Sequence, residues 1–315
     1  MQSGGYDERR GPVALEVLAA VAGLTIVAVA AAFGWQMGRR AERSEALAEK
    51  TSPTDDVGTG DDGQSAGQKP KSADIAPEQS GEEPTDSRSL LFIGNSHCQY
   101  VPGALGALAR AFGTAVDTEQ LAPKGAHLFE HSKNAKTLRA IERRRWEFVV
   151  LQEQSVVSAV PELRQTEMLV AVRRLSKLIR KTGAKPLLFL TWARKDGDQE
   201  NAQRYPDDTF DKMQARVIAG YREVARSTGI GLVPVGAAWQ TVMQERSDIE
   251  LFASDGLHAS EAGVHLAAAV FLASLFSLDP AEVMESKAPD VPGLSRQQLR
   301  YLRQVAKKTV ESFQR

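Results

Sequence analysis

A serine, a histidine and an aspartate occur at two separate places where loops are expected. Ser96 lies in LFIGNSHC, where a short apolar run ends at Gly-Asn, a pattern typical of a buried strand that leads into a loop. Asp255 and His258 lie three residues apart in ASDGLHAS, just before a helix that Ser260 would cap. A serine hydroxyl becomes a good nucleophile when a histidine takes its proton and a carboxylate orients that histidine. The two stretches therefore predict a nucleophilic site if the fold brings them together.

The segments around these residues alternate between strands and helices. Short apolar runs rich in branched residues predict strands at 89–94, 148–152, 186–192, 231–236 and, more weakly, 115–121. Helix-length segments cover 102–112, 132–144, 161–181, 209–227, 260–276 and 295–313. This order predicts an α/β fold, a three-layer, doubly wound, mostly parallel sheet with helices on both faces. Ligands bind such sheets beyond the carboxyl ends of the strands, so GNSHC, QEQS and TWARKDGD should converge on one edge.

With this predicted fold, the motifs resemble the SGNH, or GDSL-like, hydrolase superfamily over roughly residues 89–280. Gly94-Asn95-Ser96 is similar to the serine block of that family, and Asp255-Gly256-Leu257-His258 is similar to its final D-x-x-H block. The resemblance implies that Ser96 is the nucleophile, that His258 takes its proton and that Asp255 holds the imidazole. It also implies an SGNH or flavodoxin-like sheet, an acyl-enzyme intermediate and no cofactor.

The resemblance further implies three donors for an oxyanion. These are the backbone N–H of Ser96, the backbone N–H of Gly125 in LAPKGAHL, and the side-chain amide of Gln154. Where the family commonly has G-x-N-D, this chain has QEQS, so Gln154 stands in place of the usual asparagine. Glutamine carries the same amide on a longer stem. Because one lost donor typically costs a factor of about 10² to 10³ in rate, this departure concerns turnover more than the fold.

Several other side chains near the predicted strand ends are candidates for contact with a substrate. They are Asn95, His97, His127, Trp192 and Arg194. Trp192 could form a wall of the pocket and Arg194 could bind an anion, whereas plain packing of the TWARKDG loop is an equal alternative for both.

The histidines and the cysteine near these motifs suggest two other kinds of chemistry, metal binding and thiol reactions. His127 and His131 are four residues apart and could bind zinc on a helix face, with His97 as a third ligand. No H-E-x-x-H motif accompanies them, so we predict that no metal is bound. Cys98 is the only cysteine, which excludes an intramolecular disulfide, and we expect it to be a small buried apolar side chain.

The region before the predicted catalytic domain divides into three parts. Residues 1–16 form a tail, and residues 17–37 are 21 residues without a charged side chain, long enough to cross a membrane as a helix. A cleaved signal peptide is the alternative to this transmembrane anchor. Residues 38–88 are acidic and, from residue 44 onward, contain no aromatic residue, which predicts a disordered linker before the domain at 89–315.

The membrane orientation follows from two conflicting arguments. Arg39 and Arg40 follow the predicted span, which by the positive-inside rule would keep the rest of the chain in the cytoplasm. A hydrolase on a long stalk suggests instead an extracytoplasmic domain, and we favour that side. Charges of both signs are interspersed on the predicted helices, so nucleic acid is not an expected partner.

Together these features predict a membrane-anchored serine esterase or deacylase. The expected substrate is an ester-bearing small molecule or glycan, such as an O-acetylated envelope polysaccharide. An acyltransferase with the same site is one alternative, since a sugar hydroxyl could intercept the acyl-enzyme. A non-catalytic carbohydrate-binding module on the same fold is the other.

Overall fold

The computed structural model describes residues 88–284 and 286–313. The predicted tail, the predicted transmembrane helix and the predicted linker as far as residue 87 lie outside these residues. Within the described ranges, no helix combines the length and the apolar character needed to cross a membrane.

The sheet consists of five parallel strands in the order β2-β1-β3-β4-β5. The strands are β1 Arg88–Ile93, β2 Val116–Leu121, β3 Phe148–Leu151, β4 Lys185–Phe189 and β5 Gly231–Val233. Strand β1 lies between β2 and β3, and its end at Ile93 pairs with Leu121 and Leu151. The four residues of β3 and the last four of β1 are buried, as expected for strands covered on both faces. The predicted α/β fold with a parallel sheet is confirmed.

Helices connect the strands and cover the sheet. They are α1 Val101–Ala111, α2 Leu128–His131, α3 Ala135–Glu142, α4 Ser155–Ala159, α5 Pro161–Leu163, α6 Leu169–Lys181, α7 Phe210–Thr228, α8 Val235–Glu245, α9 Glu261–Phe276 and α10 Arg296–Phe313. Helix α9 packs against α1 and α10, whereas α6 packs against α2, α3 and α7. The chain first moves from β1 to β2 on one side and then returns past β1 to β3, β4 and β5 on the other. Because each crossover is right-handed, this reversal places α1 and α6 on opposite faces of the sheet.

Two predicted elements are interrupted in the structure. The run GLVPVG was predicted as one strand, but β5 ends at Val233 and α8 begins at Val235, because Pro234 interrupts the ladder and starts the helix. The predicted helix over 161–181 contains a π-helical turn at Arg164–Met168 between α5 and α6. Segments as short as these two show no clear periodicity in sequence, so tertiary packing sets their boundaries.

Candidate active site

Ser96 lies at the carboxyl end of β1, where the chain turns sharply. Residues Ser96–Cys98 form a single 3₁₀ turn, and the extended residue Asn95 caps it by accepting a hydrogen bond from His97 N–H at 3.2 Å. The side chain of Asn95 is buried, whereas Ser96 is partly exposed. The turn therefore presents the Ser96 hydroxyl at the edge of the sheet where ligands bind in this class of fold.

Ser96, His258 and Asp255 form a continuous chain of hydrogen bonds. The Oγ of Ser96 lies 2.9 Å from Nε2 of His258, and Nδ1 of His258 lies 2.5 Å from Oδ2 of Asp255. The other carboxylate oxygen of Asp255 accepts the backbone N–H groups of Leu257 and His258, each at 3.0 Å. The contact with the His258 ring, followed by these backbone contacts, holds the pKa of Asp255 well below its usual range.

An ionised Asp255 accepts hydrogen bonds and donates none, so it fixes the tautomer of His258. The proton of the neutral imidazole must lie on Nδ1, which leaves Nε2 free to accept the proton of the Ser96 hydroxyl. This arrangement is the one that general-base activation of a serine requires.

Trp192 supports the loop that carries Asp255 and His258. Its indole N–H donates to the carbonyl of Leu257 at 3.0 Å, and its ring stacks on Trp239 with centroids 4.2 Å apart. Trp192 has no exposed surface, so the prediction that it contacts substrate is wrong. The alternative of loop packing is the correct one, because the apolar ring fills the space beneath the loop.

His97 lies directly behind His258 and is electrically neutral. Its Nδ1 is 3.2 Å from the Thr191 hydroxyl, its ring stacks on Trp192, and the edge of the His258 ring faces it at 6.0 Å between centroids. Burial, followed by the charges of His258 and Arg194, lowers the pKa of His97 to about 3. Only 5% of His97 is exposed, so it packs against His258 and offers little surface to a substrate.

The three predicted oxyanion donors follow three neighbouring strands. Ser96 follows β1, Gly125 follows β2, and Gln154 follows β3 and precedes α4. Within the described residues, neither the N–H of Ser96, the N–H of Gly125 nor the side-chain amide of Gln154 has a hydrogen-bond partner. Donors without a hydrogen-bond partner in the protein can donate to a ligand.

The segments that carry these donors are linked to one another. The side-chain NH₂ of Asn95 donates to the carbonyl of Ala126 at 3.0 Å, which ties the turn at Gly125 to the serine loop. Gly125 itself has a φ of +72°, a conformation that glycine adopts without strain. Asn95, predicted as a pocket neighbour, thus serves to join two loops of the site.

Gln152 is a site residue that the sequence reasoning missed. Its Oε1 accepts the backbone N–H of Asn95 at 2.8 Å, and its side-chain NH₂ donates to the carbonyl of Glu153 at 2.9 Å. A Cβ on Gly94 would lie 2.4 Å from that same Oε1, so only glycine fits beside it. The available signal was a polar residue that directly follows a fully buried strand, where a side chain must find internal partners.

Glu153 is the second missed residue, and it joins the two segments that flank the serine loop. Its two oxygens accept the backbone N–H groups of Leu128 at 3.1 Å and of Gln154 at 2.8 Å. The hydroxyl of Tyr221 binds both the N–H and the carbonyl of Glu153. Glu153 is fully buried, and burial raises the pKa of its carboxyl to about 7.

The remaining predicted residues have internal partners. His127 contacts Glu167 at 3.0 Å and is buried, and His131 lies 2.8 Å from the carbonyl of Gly94 through Nε2. In the part of the chain that the structure describes, no group of three or more acidic, histidine or cysteine side chains could hold a metal. Arg194 pairs with the exposed Glu200 at 3.1 Å.

Cys98 is buried, as predicted. Its thiol donates to the carbonyl of Asn95 at 3.2 Å, and burial raises its pKa to about 12. A thiol with so high a pKa forms almost no thiolate at neutral pH, so Cys98 is not a competing nucleophile.

Comparisons with known proteins identify the family to which the chain belongs. A family model described as "Domain of unknown function (DUF4886)" matches residues 126–296, more than half of the chain. The matched region contains Gln154, Asp255 and His258, whereas Ser96 and Gly125 precede it. No curated protein matches the sequence.

Three solved structures illustrate what the chain is similar to. A DUF4886 family protein from Bacteroides uniformis matches with a TM-score of 0.64 and 18% identity, over 73% of this chain and 97% of that one. A candidate SGNH hydrolase from Slackia heliotrinireducens matches with a TM-score of 0.48 and 29% identity, over 59% and 97%. The psychrotrophic esterase EstA from a Pseudoalteromonas species gives 0.44 and 14%, over 60% and 97%. The second of these structures carries an SGNH hydrolase description, which is the superfamily that the motifs of this chain resemble.

Proposed function

This chain belongs to the DUF4886 family, and we propose that it is a serine esterase of the SGNH type. The observation that carries the proposal is the hydrogen-bonded chain from Ser96 Oγ through the His258 ring to Asp255. Each link has the distance and the donor and acceptor pairing that general-base catalysis requires. The family description itself assigns no activity.

In the proposed reaction, His258 takes the proton of Ser96 as Oγ attacks the ester carbonyl. The carbonyl oxygen becomes an oxyanion, which the N–H groups of Ser96 and Gly125 and the amide of Gln154 bind. His258 then gives its proton to the departing alcohol oxygen, which leaves the acyl group on Ser96. Water, activated by the same histidine, releases the acid and restores the serine.

Asp255 stabilises the imidazolium that forms transiently at His258. Its carboxylate stays ionised because the His258 ring and two backbone N–H groups bind it. The neutral ring of His97 packs behind His258 and adds no competing positive charge there. These contacts support a site that is preorganised for developing charge.

The test is hydrolysis of a short activated ester, such as p-nitrophenyl acetate, by the full-length protein. Ser96→Ala removes the nucleophile and should abolish turnover, whereas Ser254→Ala, an exposed serine in the same loop as Asp255, should leave it unchanged. A fluorophosphonate probe should label the wild type and fail to label the His258→Ala variant. Turnover that survives in Ser96→Ala would refute the mechanism.

The membrane anchor and the substrate are further parts of this proposal. The uncharged stretch at 17–37 supports an anchor, and the linker that is predicted to follow it would hold the domain away from the membrane, on the extracytoplasmic side. An O-acetylated polysaccharide of the cell envelope would suit that location. Protease added to intact cells should cleave an exposed domain, and protection of the domain would refute this side.

A further inference from the structure

A groove lies next to the catalytic residues, on the face of the sheet that α1 and α9 cover. Its volume is approximately 430 Å³, and its walls are α1, the start of α9 and the segment 289–292. This volume lies in the range of roughly 300–1,000 Å³ that small-molecule sites occupy.

The groove is lined mainly by apolar side chains. They are Tyr100, Ala104 and Ala107 at the start of α1 and along it, Ala259 and Val264 at the start of α9, and Pro289, Val291 and Pro292 on the facing segment. Tyr100 is 66% exposed and adds an aromatic ring to this surface. An apolar surface of this kind gains free energy when an apolar group covers it.

The charged side chains of the groove restrict its occupant. Glu261 and Asp290 are both exposed and both line it. Two carboxylates repel an anionic group, so phosphate- or carboxylate-bearing substrates are disfavoured there. An uncharged apolar group fits this combination.

The groove begins directly beside the nucleophile and its base. Tyr100 directly precedes α1 and lies two residues after the Ser96–Cys98 turn, and the groove residue Ala259 follows His258 in the chain. The segments with the predicted oxyanion donors Gly125 and Gln154 do not line the groove. Ser96 and His258 do not line the groove themselves, but Ala259, the chain neighbour of His258, does, so the groove adjoins the segment that carries His258.

The position beside His258 decides which part of an ester would enter the groove. His258 must protonate the departing oxygen, so the alcohol part of the ester leaves from the histidine side. We infer that the groove binds the alcohol part of an uncharged ester and selects an apolar alcohol of several carbons. This inference rests on the proposed esterase function and specifies its substrate class.

The experiment compares two series of esters with the full-length protein. Ethyl, butyl and hexyl acetate differ only in the alcohol, and their leaving groups have nearly equal intrinsic reactivity. Ethyl acetate, ethyl butanoate and ethyl hexanoate differ only in the acyl group. We expect kcat/KM to rise at least tenfold from ethyl to hexyl acetate, since each buried methylene adds affinity, and to rise far less in the acyl series.

Two variants place the effect in the groove. Ala104→Trp fills it from α1, and Val291→Glu adds a charge from the facing segment. Both should remove the gain for hexyl acetate and keep hydrolysis of ethyl acetate within about twofold of the wild type. Val170→Trp, at an exposed apolar position on α6 away from the groove, is the matched control and should keep the gain.

The outcomes separate this inference from the proposed function. If no ester is hydrolysed in a Ser96-dependent manner, the esterase function itself is wrong. If ethyl acetate is hydrolysed but the rate does not rise with alcohol length, only the assignment of the groove is wrong. A rise confined to the acyl series, or one that survives in both groove variants, would also overturn the assignment.

Discussion

Replacement of Glu153 by glutamine tests how the site is held together. Two backbone N–H groups, from Leu128 and Gln154, donate to different oxygens of this buried carboxylate. Glutamine has one oxygen and one NH₂, so it can accept only one of these bonds, and the second N–H would face another donor. An unsatisfied buried N–H costs about 1–3 kcal/mol. The variant also gains stability at higher pH, because it no longer buries a carboxyl group that would have to ionise.

The stability of Glu153→Gln relative to the wild type depends on pH, because Glu153 has different pKa values in the folded and the unfolded protein. Burial raises the pKa of Glu153 from 4.5 to about 7, with the nearby His127 opposing the rise and Glu167 adding to it. Between these pH values the folded protein keeps the proton and the unfolded chain loses it. Protonated Glu153 therefore contributes its full stability to the wild type below pH 4.5, and the wild type loses this contribution as the pH rises through 7. Its size is on the order of 3 kcal/mol.

Urea unfolding at half-unit steps from pH 4 to 8 measures this difference. The free energy of unfolding of the wild type should fall relative to that of Glu153→Gln as the pH rises across the interval. Glu142→Gln, which changes an exposed carboxylate at the end of α3, should follow the wild type. Parallel curves for the wild type and Glu153→Gln would refute the reasoning about the buried carboxyl.

Two further substitutions probe the base and the serine loop. Asp255→Asn removes the carboxylate that fixes the tautomer of His258, so kcat for p-nitrophenyl acetate should fall by about 10² to 10⁴-fold, and a loss below tenfold would contradict this role. Gly94→Ala places a methyl group against Gln152 and should lower the free energy of unfolding in urea by about 1–3 kcal/mol. Gly103→Ala, where a Cβ meets no atom within 4 Å, is its control and should cause no loss; equal stabilities for the two variants would contradict the packing argument.

Much of the fold could be predicted because the apolar runs that form strands are short, branched and buried on both faces. The strand ends then indicated where Ser96 and the Asp255-His258 pair would meet, since parallel strands place their following loops on one edge. The contact between Ser96 and His258 follows from that rule together with the chemistry of the residue types. The order of strands and helices along the chain, together with the polar residues that follow the strands, was sufficient to predict these features.

The supporting contacts could not be predicted in the same way. In QEQS, four polar side chains follow one strand, and only the folded chain shows that Gln152 and Glu153 turn inward. The side chain of Gln154 has no partner among the residues that the structure describes. Trp192 was ambiguous for a related reason, because an aromatic residue after a strand can face a ligand or the core. The stacking of Trp192 on Trp239, far along the sequence, decides between the two.

The hydrogen bond between Ser96 and His258 joins residues that are 162 positions apart. Contacts of such long range close a large loop and cost correspondingly more chain entropy than local ones. The nucleophile therefore lacks its base until the sheet and α9 have formed, so partly folded chains carry an inactive serine. If the proposed esterase activity is present, its recovery during refolding should follow recovery of helical circular dichroism, and turnover would report the completion of the tertiary structure.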